Sequence, residues 1–123
     1  MFKDTKAFSG FSVDDIPAAK AFYSQTLGLD VGEANGMLRL NIAGGNPVLV
    51  YPKENHVPAE YTVLNFPVTD IEATARELIA RGVTFERYSD QHDELGIVRG
   101  GDEGPLIAWF KDPAGNVLSI IQD

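Results

Sequence analysis

A chain of 123 residues with ten basic and eighteen acidic side chains has a formal charge of −8, which repels phosphate backbones and sets nucleic acid aside as a partner. Its 44% hydrophobic and 23% charged content fits one ordinary globular domain, and no run approaches the roughly 18 apolar residues that a membrane span needs. The absence of cysteine excludes disulfides, thiolate metal sites and cysteine nucleophiles together, and with no apolar leader after Met1 the expected compartment is cytoplasmic.

In chain order, residues 6–13 read as a strand, after which Asp14 or Asp15 caps a helix with Pro17 in its first turn. Ile16, Ala19, Tyr23 and Leu27 form the apolar stripe of that helix, which Gly28 ends. Strands follow at about 29–33, 37–43 and 47–52. In "GMLRLNI", Arg39 alternates with Met37 and Asn41 against an apolar face of Leu38, Leu40 and Ile42, a placement that suits a ligand carboxylate or solvent. The polar stretch from Pro52 to Ala59 reads as a connection, and its His56 is expected to be a solvated loop histidine.

A second strand-and-helix pair begins at 60–68. Thr69-Asp70-Ile71-Glu72 has capping-box spacing, Ile71, Ala75, Leu78 and Ile79 share one helical face, and Gly82 is the stop. Strands are then expected at about 83–88, at 96–99 with 105–111, and at 116–122, the last pair joined by the turn Asp112-Pro113-Ala114-Gly115-Asn116. Between them, His92 stands among Asp90, Asp93 and Glu94; a solvated loop is the plain expectation, a cation site or general base the sharper one. "RGGDEGP" lacks the lysine and following helix of a phosphate loop and reads as a wide connection able to flap over a site. No G-x-S-x-G arrangement occurs.

The two halves repeat one another. "FSVDDIPAAKAFYSQTLGLDV" parallels "FPVTDIEATARELIARGVTF", with Val13 on Val68, Asp15 on Asp70, Ile16 on Ile71 and Ala18 on Ala73, and "GGNPVLVY" parallels "AGNVLSII" further on. The expected organisation is a single α+β domain of duplicated βαβββ modules: module one 1–52, a linker 53–59, and module two 60–123.

A duplicated βαβββ unit with V-x-D-I/L, "FYSQTLGL" and "DPAGNVLSI" resembles the vicinal oxygen chelate superfamily of glyoxalases, bleomycin-resistance proteins and extradiol dioxygenases. The resemblance implies a cupped mixed sheet with helices outside, a ligand inside the cup, and a homodimer. It also implies where metal-dependent relatives carry His or Glu. Those positions are Phe8, Val63, Ser119, and either Leu49 or Val50. Such residues leave a divalent ion without donors, so neither metal nor other cofactor is expected.

If Phe8, Val63 and Ser119 face the cup, alternation adds Gly10, Ser12, Tyr61, Asn65, Val117 and Ile121. Leu64, Phe66, Val68, Leu118 and Ile120 then form core, and one of Trp109 and Phe110 reaches the cup. The expected ligand-binding set is Phe8, Ser12, Arg39, Val50, Tyr61, Val63, Asn65, Trp109 and Ser119, with no catalytic residue assigned. The expected function is metal-independent binding of a small molecule, as in drug sequestration, and the net charge favours a cationic compound. The alternatives are a glyoxalase-type lyase or isomerase, a dioxygenase, and a structural or regulatory partner protein.

Overall fold

A computed structural model describes residues 1–123 and divides them into two compact units, 1–58 and 59–123. The first unit contains strand β1 (Gly10–Val13), helix α1 (Ile16–Ala21), and strands β2 (Asp30–Ala34), β3 (Met37–Asn41) and β4 (Val48–Pro52). The second contains β5 (Thr62–Pro67), α2 (Ile71–Ala80), β6 (Val98–Arg99), β7 (Leu106–Lys111) and β8 (Val117–Gln122). Each unit is therefore βαβββ, an α+β arrangement in which the sheet orders β1-β4-β3-β2 and β5-β8-β7-β6 correspond strand for strand. The first and last strands of each unit pair in parallel; the other neighbours are antiparallel.

Both helices begin on an aspartate. Asp15 Oδ1 accepts the Ala18 N–H at 3.0 Å and Asp70 Oδ1 accepts the Ala73 N–H at 3.1 Å, each satisfying a helix donor that has no carbonyl partner. The cap of α2 is thus Asp70, not the Thr69 of the expected capping box. Gln122 Oε1 accepts the Ile71 N–H at 2.8 Å, which ties the start of α2 to the end of β8. Past Ala21, α1 widens into a π-helical turn over Phe22–Thr26. That turn sets Tyr23 into the core, 6.0 Å from Phe11 and 5.2 Å from Phe22 between ring centroids.

In each sheet one face is covered by the unit's own helix. In the first, Phe11, Val13, Leu38, Leu40, Val48 and Val50 are buried on it. In the second, Ala108, Phe110, Leu118 and Ile120 are buried with Ile71, Ala75 and Leu78 of α2. Period-two alternation sends the intervening residues to the opposite, helix-free face.

Two strand expectations change. Residues 83–88 form no strand: one bridge, Phe85 to Phe110, and one bond, Glu86 N–H to the Trp109 carbonyl at 2.8 Å, are made. The outer edge of β7 is shared, since Val98 and Arg99 pair with Ile107 and Leu106, leaving only its second half for Phe85 and Glu86. β1 starts at Gly10 rather than residue 6, although Leu49 N–H still donates to the Ser9 carbonyl at 3.0 Å.

Candidate functional site

Register fixes which side chains share the helix-free faces. In the first unit Gly10 lies opposite Leu49, Leu49 opposite Arg39, and Arg39 opposite Gly32. In the second, Asn65 lies opposite Ser119 and Ser119 opposite Trp109. Leu49 is therefore the counterpart of Ser119. Val50, placed among the ligand-binding residues from sequence, pairs with Leu38 on the helix side and is fully buried in core, so it cannot line that face. Between Trp109 and Phe110 the choice is equally clear, because Phe110 pairs with Leu118 in the core.

A β-bulge at Val63 corrects a second expectation. Thr62 pairs with Val117 and Leu64 with Leu118, so two residues of β5 pass while β8 advances by one. The extra residue moves Thr62, rather than Tyr61, onto the helix-free face. Trp109 Nε1–H donates to Thr62 Oγ1 at 3.1 Å, whereas Tyr61 precedes the strand and is 72% exposed.

In the second unit the face is closed by hydrogen bonding and aromatic packing. Ser119 is fully buried, and its hydroxyl donates to Asn65 Oδ1 at 2.5 Å. Trp109 packs edge-on against Tyr88 and His92, at 5.6 and 6.1 Å between ring centroids, and Tyr88 lies 6.4 Å from His92. Burial, then the carboxylate of Glu86, holds the Tyr88 phenol above its ordinary pKa, with Lys111 opposing.

The loop supporting these rings is stapled rather than simply solvated. His92 Nδ1 lies 2.7 Å from the Gly96 carbonyl, which can only accept, and Nε2 accepts the Tyr88 N–H at 3.2 Å. Together these bonds define the neutral ring with its hydrogen on Nδ1. Arg87 donates to the carbonyls of Asp93 and Glu94 at 2.7 and 2.9 Å, and Asp93 Oδ1 accepts from the N–H groups of Leu95 and Ile97. Of the acids around His92, Asp93 organises backbone with its carboxylate, Asp90 accepts from Gln91 Nε2 at 3.2 Å, and no three of these groups come together as a ligand set. His56 is not a free loop residue either, since its Nδ1 lies 2.6 Å from Ser12 Oγ.

In the first unit the corresponding face is hollow. Lys6, Phe8, Arg39, Asn46, Pro47 and Leu49 line a cavity of about 300 Å³. A neighbouring hollow of about 280 Å³ along β2 and β3 also uses Arg39 and Leu49. Phe8, 64% exposed, is held beside the sheet because Asn46 Nδ2 donates to the Ala7 carbonyl at 2.7 Å.

The metal implied by the resemblance does not fit these residues. Phe8, Leu49 and Val63 carry no lone pair, and the Ser119 hydroxyl is bound to Asn65. No three His, Asp or Glu side chains come together as a ligand set. The sequence reading missed Tyr88 and Thr62. Tyr88 lies in the expected strand 83–88 with no cue to its contact with Trp109, and nothing in the alternation signals the bulge that brings in Thr62.

The profile of the Glyoxalase/Bleomycin resistance protein/Dioxygenase superfamily matches residues 8–120. No curated protein matches the chain in sequence. Among solved structures, a glyoxalase family protein from Enterococcus faecalis is 21% identical, covering 98% of this chain and 99% of its own, at a TM-score of 0.73. A superfamily member from Sphaerobacter thermophilus DSM 20745 is 22% identical over 95% and 97%, at 0.71. TnmS3, an antibiotic binding protein from Streptomyces sp. CB03234, is 23% identical over 97% of both chains, at 0.67. At these identities the likeness is one of fold.

Proposed function

We propose, from the premise that this chain belongs to the glyoxalase/bleomycin resistance protein/dioxygenase superfamily, that it binds a small molecule without a metal and without chemistry on it. The observation that carries this reading is the donor set. Where metal-dependent relatives would place His or Glu, the chain has Phe8, Leu49, Val63 and a Ser119 whose hydroxyl is already bonded. A glyoxalase-type lyase, an isomerase or a dioxygenase needs a metal to polarise a carbonyl or hold vicinal oxygens, and these side chains supply too few donors for one.

The binding elements are the hollows around Arg39 and Leu49 in the first unit and the Trp109–Tyr88–His92 rings in the second. Apolar lining with a few placed polar groups is the usual make-up of a ligand site. The antibiotic-binding function of TnmS3 lends the reading support by analogy of fold. A homodimer in the cytoplasm is the assembly and compartment proposed with it.

The test is a thermal-shift screen of the purified chain against metabolites and antibiotics of all charge types, with elemental analysis of the same preparation. A binder raises Tm by mass action, and zinc, nickel, manganese and iron should each be well below one equivalent. A stoichiometric ion whose removal lowers Tm would overturn the proposal, as would a library without any binder.

A further inference from the structure

The molecule as a whole is acidic, but the hollow of the first unit is locally basic. Lys6 and Arg39 both line it, and no carboxylate does. The ion pairs of the protein are Lys20 with Glu33, Arg81 with Glu77, and Lys111 with Glu86, so neither cation of the hollow is spent on a salt bridge. The acids nearest in register are engaged elsewhere. Asp30 accepts from Asn41 Nδ2 at 3.2 Å, and Glu33 is held by Lys20 at 2.8 Å.

The rest of the lining is apolar, contributed by Phe8, Pro47 and Leu49. The segment carrying Lys6 and Phe8 lies outside β1, yet it is tied to the sheet at two points. Asn46 Nδ2 donates to the Ala7 carbonyl, and Leu49 N–H donates to the Ser9 carbonyl. Two cations are therefore held beside an apolar floor in a space of about 300 Å³, at the small end of ligand pockets.

Resting on the small-molecule reading above, we infer that this hollow takes an organic acid: a carboxylate met by Arg39 and Lys6, carried on an apolar body of one or two fused rings. The carboxylate receives charge-assisted hydrogen bonds from a guanidinium fork and an ammonium, while the ring system covers Leu49, Pro47 and Phe8. The net charge of −8 argues for a cationic ligand only at long range. At physiological ionic strength, fields are screened beyond about 8 Å, so the groups lining the hollow decide the sign of the ligand.

Three probes of one shape separate the possibilities: 2-naphthoate, 2-naphthamide and 2-naphthylmethylammonium, titrated into the full chain by calorimetry and by amide-resolved NMR. The naphthoate should bind at least tenfold more tightly than the amide, with the ammonium weakest and the shifts centred on Phe8, Arg39 and Leu49. Arg39→Gln should lower naphthoate affinity at least tenfold at unchanged Tm, and Lys6→Gln should lower it less. Arg76→Gln, on the exposed side of α2, should leave it unchanged.

Equal binding of all three probes, tightest binding of the ammonium, shifts confined to residues 62–119, or no binding at millimolar concentration would each overturn the acid. So would a carboxylate preference that survives Arg39→Gln. Neutral or cationic binders in that experiment would leave the small-molecule reading intact; that reading falls only with the broad screen.

Discussion

Two copies of one βαβββ unit carry different residues at the same three register positions. The first sheet has Gly10, Leu49 and Arg39 across its helix-free face, and the second has Asn65, Ser119 and Trp109. The small and apolar set leaves a cavity with a free guanidinium at its edge. The polar and aromatic set closes on itself, with serine bonded to asparagine and tryptophan packed by two rings. Duplication thus preserves strand order and the register of these positions while the face contents diverge, and the recess at these positions belongs to the first copy.

The sharpest way to break this comparison is to place one charge at both equivalent positions. Ser119→Glu buries a carboxylate against Asn65 Oδ1 and should cost about 4 kcal/mol, read as a lowered Tm or denaturant midpoint. Leu49→Glu, half-buried beside Arg39 and Lys6, should stay within about 1 kcal/mol of the parent. Burial would raise the pKa of the carboxyl introduced by Ser119→Glu in the folded state. The deficit of that variant should therefore be small near pH 4 and grow as pH rises through neutrality. Equal tolerance of the two changes would mean that the faces do not differ in access to water.

A smaller break targets the loop behind the rings. Gly96 has φ +99°, and a methyl group there would stand 2.7 Å from Phe85 Cβ, while its carbonyl receives the His92 Nδ1–H. Gly96→Ala adds left-handed strain to a steric overlap and should destabilise by about 2–3 kcal/mol. Loss of His92 ring-contact shifts in proton NMR should accompany it. A stable variant with those shifts unchanged would show that the loop is not held through Gly96.

These positions also mark what sequence alone reveals. The repeat, both helices and the DP-x-G turn are legible because their chemistry is local. Asp112 Oδ1 accepts the N–H groups of Ala114 and Asn116, and Asn116 Nδ2 returns a bond to Asp112 Oδ2, all within five residues. Non-local features are not legible. The choice of Leu49 over Val50 depends on pairing with Gly10 across a crossover. The Val63 bulge breaks the alternation that put Tyr61 on the face. Residues 83–88 have strand composition, but the edge available to them is already half taken by β6. His56 is in the loop as expected, but its anchoring was not legible because its partner Ser12 is 44 positions away.

Trp109, the only tryptophan, sharpens the aromatic half of the comparison. Trp109→Phe removes the indole donor to Thr62 and part of the contact with Tyr88 and His92, and should cost about 1 kcal/mol in a denaturant titration. No measurable cost would place the rings outside the folded core of the unit. In the parent, the same indole reports whether a ligand reaches the second sheet. A ligand stacked on the rings should quench its fluorescence.

The smallest expected effect is a shift in the alkaline limb of stability. Burial against its neighbours, then the Glu86 carboxylate, raises the Tyr88 pKa above its usual value near 10, and Lys111 only partly offsets this. The folded state therefore holds the phenolic proton to higher pH than the unfolded chain does. The contribution is complete below the unfolded pKa and is lost as pH rises through the folded one. Tyr88 is 60% exposed, so solvent screens most of the effect. Absorbance titration of the parent against Tyr88→Phe should isolate, by difference, a phenol component that ionises above the usual value near 10. Glu86→Gln should move that component toward the ordinary range, since it removes the carboxylate and also leaves Lys111 unpaired beside the phenol. A Tyr88 that titrates near the ordinary phenol value in both proteins would mean that the ring stands in water, away from Trp109.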